Sequence, residues 1–123
     1  MIVCDKAVVG PWVMHRVHGL WNPAAMETIG WEREGEITAG VVFENWNGVS
    51  MMVHIAADKP LTRGFVYRIC DYAFSCCGKV IAPIAESNEK SITLVEKLGF
   101  RKVRVKGLSE AICTIIDAPF HFS

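Results

Sequence analysis

Between residues 49 and 100 the spacing of apolar positions changes period, and each change marks an element. Residues 49–57 read as a strand, followed by a polar turn at 58–62. A helix is predicted over 62–77, because Phe65, Ile69, Tyr72/Ala73 and Cys76 recur at the spacing of one buried helical face. Gly78 stands where a helix C-terminus favours a residue free to take positive φ. The run Val80-Ile81-Ala82-Pro83-Ile84-Ala85 is too short for a helix and suits a strand buried on both faces. Strand, helix and strand in this order predict a βαβ unit, with its two strands parallel. A second helix is predicted over 88–98, with Asn88 as N-cap, Glu89 in the favourable first turn, and Ile92, Val95 and Leu98 facing inward. Gly99 takes the left-handed position after it, and Phe100 folds back over the last turn, near Val95.

The first half of the chain alternates differently. Residues 2–9 have the apolar content of a strand ended by Gly10-Pro11. Pro11 suits the first turn of a short helix over 12–18, stopped at Gly19. Trp21-Asn22-Pro23 is a loop, and strands are predicted over 27–34 and 37–44, with a turn at Glu34-Gly35. Asn47-Gly48 is the strongest hairpin signal in the chain and leads into the 49–57 strand, which completes an antiparallel meander. After Phe100, basic and apolar residues alternate over 101–105, as in a strand near a sheet edge. A turn at 106–109 then leads to a last strand over 111–116. The expected class is α/β, or more narrowly an α+β mixed sheet, mostly antiparallel, with helices on both faces.

Composition narrows the function classes. With 123 residues, 51% hydrophobic and 21% charged, the chain is expected to form one compact domain over 1–123 without disulfides or structural metal. Thirteen basic residues balance thirteen acidic ones, which gives no electrostatic case for a nucleic-acid or membrane-surface partner. No apolar run approaches the ~18–20 residues that span a bilayer. The first residues lack a basic region followed by an apolar core, so a cytoplasmic location is expected. The five cysteines, at 4, 70, 76, 77 and 113, follow no framework or metal-ligand spacing and read as reduced thiols, mostly filling the core.

Two segments resemble a family. Residues 88–100, NEKSITLVEKLGF, are similar to the "N…S…LxEKLGF" segment of the GNAT acetyltransferase superfamily. Lys59-Pro60-Leu61-Thr62-Arg63-Gly64 resembles a degenerate form of that family's acyl-CoA pyrophosphate loop, Q/R-x-x-G-x-G/A, with Lys for the first residue and Thr for the first Gly. The combination is most similar to short GNAT-like proteins carried by bacteriophages and prophages. The resemblance implies a GNAT-like acyl-CoA N-acyltransferase fold with a shortened start, and acetyl-CoA as co-substrate. In that fold the two central parallel strands splay where acyl-CoA enters. Pro83, which cannot donate to a ladder, would sit either at the splay or at a simple bulge.

The chemistry follows from both sources. A helix N-terminus presents unpaired N–H groups and the positive end of its dipole, so the turn before residue 62 could hold a pyrophosphate. Gly64 would let it approach, and Lys59 and Arg63 would add charge. The plainer reading makes Thr62 only an N-cap and Lys59-Pro60 only a solvated turn. The resemblance implies cofactor contacts at Ile55, Ala57, Lys59, Thr62, Arg63, Gly64 and Asn88, with oxyanion donation from a bulged strand near 55–57. It also implies that the acid often supplied by a Tyr is missing, because Val95 occupies that place. His54 is the first candidate base and Glu86 the second; otherwise they are a sheet histidine and a solvated strand-end charge. His15 and His18 either line the acceptor pocket or lie on the surface. Two functions stay open: N-acetyl transfer to an unidentified small-molecule or protein amine, or a catalytically inactive binding or virion-associated module. The apolar tail Pro119-Phe120-His121-Phe122 could pack on a second subunit and make a homodimer.

Overall fold

The computed structural model describes residues 1–85, 89–97, 99–103 and 111–117. Its elements run β1 (Ile2–Val3), α1 (Lys6–Arg16), β2 (Glu27–Arg33), β3 (Glu36–Glu44), β4 (Ser50–Ala57), α2 (Arg63–Cys76), β5 (Lys79–Ala85), α3 (Glu89–Lys97), β6 (Arg101–Val103) and β7 (Ala111–Asp117). The described strands form one sheet in the order β1-β2-β3-β4-β5-β7-β6. The β2–β3–β4 meander is antiparallel, β4 and β5 are parallel, and β7 lies antiparallel between β5 and the edge strand β6. The predicted meander, βαβ unit and edge strand are all present. Residues 86–88, 98 and 104–110, together with the tail 118–123, lie outside the described residues, and so do the expectations that fall on them.

Successive residues of a strand point to opposite sides of the sheet, and the core divides accordingly. Val41, Phe43, Met51 and Val53 pack with Phe65, Ile69 and Ala73 of α2. Val42 and Ala56 pack instead with Val9, Val13 and Met14 of α1. The α2 face is the one the apolar spacing predicts, and Phe65 is fully buried. Phe100, just past Gly99, is buried in the α2 cluster, and Gly99 has φ of 101° as expected.

Two expectations about where the helices begin and end fail. The strand foreseen over 2–9 is only Ile2–Val3, and α1 begins at Lys6, with Asp5 as its N-cap accepting from the Ala7 amide. Pro11 therefore lies inside the helix and not in its first turn. Its missing N–H frees the carbonyl of Ala7, an exposed residue, so the lost bond falls on the solvent side of the helix. The helix is held by tertiary packing. A methyl group at Gly30 would meet Val9 Cγ2 at 2.7 Å, and one at Gly40 would meet Val13 Cγ2 at 2.6 Å, so these strand glycines let α1 settle directly on the sheet. The second failure is at Gly78, which is not among the positive-φ residues. α2 instead ends at Cys77 in extended backbone (φ −160°), turning straight into β5.

Candidate active site

The parallel β4–β5 pairing is short. It covers Ser50↔Lys79, Met51↔Val80 and Met52↔Ile81, although β4 continues to Ala57 and β5 to Ala85. The backbone explains where it stops. The Asp58 amide donates to Thr38 O at 2.8 Å, so the even-numbered residues of β4 direct their amides and carbonyls toward β3. The odd-numbered residues face β5, as Val49 O does in accepting from Gly78 N at 3.2 Å. In this register the next ladder bond would run from the amide of residue 83 to the carbonyl of Val53. Residue 83 is proline and has no proton to give. Pro83 still lies opposite Cys113 on β7, so the strand itself is not interrupted. Of the two placements open for Pro83, the register supports the splay, since the β5–β7 pairing runs through it without a shift.

Beyond that point the N–H groups of Ile55 and Ala57 face the side from which β5 has withdrawn. The bulge expected near 55–57 is absent. The β3–β4 register runs unbroken from Ala39↔Ala57 to Glu44↔Met52, and the register shift in the meander lies between β2 and β3 at Trp31/Glu32. The two amides thus reach the opening through strand alternation and the early end of the ladder.

The chain leaves β4 through the 58–62 turn and enters α2 at the mouth of this opening. Thr62 is the N-cap in fact, its Oγ1 accepting from the Phe65 amide at 3.2 Å. Gly64, in the first turn, is exposed, and a methyl group built there meets nothing within 4 Å. Lys59 and Arg63 are also exposed beside it. Asp58 is the acidic member of the turn, and Arg16 of α1 holds it through two hydrogen bonds, Nε to Oδ1 at 3.1 Å and Nη2 to Oδ2 at 3.0 Å. The Arg16 guanidinium also stacks 3.6 Å above the Trp12 ring. Hydrogen bonding from Arg16 is the main reason the Asp58 carboxyl sits below its ordinary range; it outweighs the opposing effect of burial, and the Arg16 and Lys59 charges add smaller contributions to it.

Beneath α2 the opening has an apolar wall of Ile55, Val66, Cys70, Phe74, Val80 and Phe100. Burial pushes the Cys70 thiol up to about 11, which removes it as a nucleophile at neutral pH.

His54 lies within β4, opposite Val42, on the face that carries Ala56 and α1. It does not end the strand. Its Nε2 is 2.9 Å from Glu44 Oε1, and the two side chains are only 16% and 18% exposed. Sequence reasoning missed Glu44. The signal that could have found it is the hairpin register: once Glu44 pairs with Met52, it is the diagonal same-face neighbour of His54. The structure therefore brings His54, Ile55 and Ala57 onto one strand and Lys59, Thr62, Arg63 and Gly64 to the turn at its end. Glu86 and Asn88 lie outside the described residues. His15 and His18 are both exposed, and His18 takes the left-handed position (φ 58°) that ends α1.

No family model matches the sequence, and no curated protein matches it either. Solved structures do match the fold. The crystal structure of Campylobacter jejuni N-acetyltransferase PseH in complex with acetyl coenzyme A aligns with a TM-score of 0.64 at 16% identity, over 77% of this chain and 70% of that one. Mutant forms of the spermidine/spermine N-acetyltransferase SpeG from Vibrio cholerae align with a TM-score of 0.59 at 18% identity, over 76% and 67%. The GNAT domain of S. lividans PAT aligns with a TM-score of 0.61 at 14% identity, over 94% of this chain and 69% of its own. The chain has the fold of these GNAT acetyltransferases, as the sequence resemblance implied.

Proposed function

We propose that the protein is an acyl-CoA-dependent N-acyltransferase that moves an acetyl group from acetyl-CoA to an amine. The observation that carries this reading is the early end of the β4–β5 ladder at Pro83. It leaves the Ile55 and Ala57 amides turned toward an opening whose mouth is the N-terminus of α2. Fold likeness supports the reading but does not by itself assign an activity.

The residues present suit acetyl-CoA. The first turn of α2, with Gly64 lacking a side chain and open space beside it, offers backbone N–H groups and the positive end of the helix dipole to a pyrophosphate. Lys59 and Arg63 supply positive charge at that turn, and Thr62 orders it by capping the helix. Arg16 neutralises Asp58, which would otherwise repel an anion there. When bound, acetyl-CoA supplies the acyl group as an activated thioester. The Ile55 and Ala57 amides, ~7 Å apart on a regular strand, would donate to two different carbonyl oxygens of the bound group, one of them the thioester's, and the apolar wall under α2 keeps bulk water away from it. His54 is the group that takes a proton from the incoming ammonium. Glu86 and Asn88 complete the proposed set, as second base and as a cofactor contact.

The acceptor is proposed only as a class, a small-molecule or protein amine. A second reading, a binding or virion-associated module of the phage type without chemistry, is favoured by one observation: Val95 stands where the resemblance implies a Tyr acid. Under the first reading that acid is dispensable, since a free thiol of pKa ~8.5 leaves readily as its thiolate near neutral pH. Release of free CoA thiol on mixing protein, acetyl-CoA and pooled small amines and peptides tests the choice. Amine-dependent thiol release above the hydrolytic background is expected. Tight acetyl-CoA binding without release in any pool would favour the second reading.

A further inference from the structure

Glu44 has no part in the proposed chemistry as described, yet it makes the closest side-chain contact of the proposed base. Its position is well fixed. It ends β3 immediately before Asn45, which takes the left-handed conformation (φ 55°) and whose Nδ2 lies 3.0 Å from Met52 Sδ. Asn47 then closes the loop, its Oδ1 accepting from the Val49 and Ser50 amides at 2.9 and 2.8 Å. Both Glu44 and His54 are carried on strands, the supports that hold a side chain most accurately.

An ionised carboxylate only accepts hydrogen bonds, so the 2.9 Å contact between Glu44 Oε1 and His54 Nε2 requires the ring proton to be on Nε2. The lone pair of the neutral ring then lies on Nδ1. With both side chains largely covered, water competes weakly for either partner. Resting on the reading of His54 as base, we propose that Glu44 is a positioning residue, which locks His54 as the Nε2–H tautomer and so makes Nδ1 the atom that accepts the proton. Histidine chemistry commonly depends on such a partner, because the group held by one ring nitrogen decides what the other can do. His54 then works through its nearer nitrogen, and the acceptor amine has to approach close to the strand.

A two-bond 1H–15N correlation spectrum of the ring nitrogens tests this without any turnover, with the His54 signals assigned by their loss in His54→Ala. The Nε2–H tautomer is expected in the wild type at neutral pH. Glu44→Gln keeps the shape but can donate as well as accept, so it is expected to give a mixed or reversed tautomer. In the same variant kcat should fall at least ~10-fold, a part of the ~10²–10⁴-fold that general-base catalysis contributes, while KM for acetyl-CoA stays within about twofold. Adding Glu44→Gln to His54→Ala should lower kcat no further, because the two act as one unit. A wild-type His54 that is Nδ1–H, or protonated on both nitrogens, overturns the proposal. So does Glu44→Gln with full kcat when His54→Ala has lost it. His54→Ala with full kcat sinks the base reading instead, and the spectrum still decides whether Glu44 sets the tautomer.

Discussion

Replacing Gly64 by alanine should move stability and ligand binding in opposite directions. Gly64 is the second residue of α2, exposed, with nothing within 4 Å of a built Cβ. Alanine there costs no contact and removes the backbone freedom that makes glycine ~0.5–1 kcal/mol worse than alanine inside a helix. The lower value is appropriate in a first turn, about 0.5 kcal/mol. An unfolding entropy of about 2.1 cal/mol/K per residue converts this to a rise in Tm of about 2 °C for the 123-residue chain. The bound state should respond the other way. Ligand at 100 times Kd stabilises a protein by ~2.7 kcal/mol, or ~10 °C by the same conversion. A methyl group where a phosphate must approach the amides should remove most of that gain, and Gly64→Val all of it. Differential scanning fluorimetry of both proteins, with and without acetyl-CoA, reads the two effects in one experiment. A fall in Tm for ligand-free Gly64→Ala would show that the space is not open. An undiminished ligand-induced shift would show that the turn does not hold the phosphates.

Gly40→Ala should do the reverse of Gly64→Ala, because its methyl group would meet Val13 Cγ2 at 2.6 Å and Val9 Cγ1 at 3.2 Å, both on fully buried residues. Overpacking of this kind costs ~1–3 kcal/mol, and an unchanged melting temperature would contradict the close seating of α1. Asp58→Asn reports on Arg16: a carboxyl held low in the folded state stabilises above the unfolded value of ~3.9 and loses that contribution as pH falls through the lower folded value. With Asp58 51% exposed, the pair contributes ~0.2–1 kcal/mol, so the variant should melt slightly lower at pH 7 and draw level with the wild type once acid has protonated Asp58 in the folded protein. An equal gap at both pH values would argue against the pair. Cys70, with its thiol raised to about 11 by burial, should escape a disulfide reagent at pH 8 that modifies the exposed Cys4, as read by peptide mass.

Those features that depend on local pattern were legible in the sequence. The face of α2, its Thr62 cap, the Asn47-Gly48 hairpin and the left-handed Gly99 each follow from residues a few positions apart. The start of α1 did not, because Ala7-Val8-Val9 favours a strand by propensity, and Pro11 looks like a helix opening. What reverses that reading is distant: the glycines at 30 and 40, on two other strands, leave room for Val9 and Val13. At the proposed site, the turn from Lys59 to Gly64 could be marked from sequence and resemblance together. Glu44 could not, since its value depends on a register that places it diagonal to a residue ten positions later. The reason Ile55 and Ala57 present their amides was also hidden. It lies in the parity of the β4 ladder and in a proline nearly thirty residues downstream.

Calorimetric titration of the wild-type protein with acetyl-CoA tests the central claim most directly. If the Pro83 opening and the α2 N-terminus together hold acyl-CoA, a saturable heat with one ligand per chain is expected, weakened by added salt because part of the attraction is to an exposed phosphate group. CoA lacking the acetyl group should still bind, and a nucleotide-free acetyl thioester should not. No heat and no thermal shift at millimolar acetyl-CoA would contradict the account, leaving the GNAT fold here without the cofactor site argued for it.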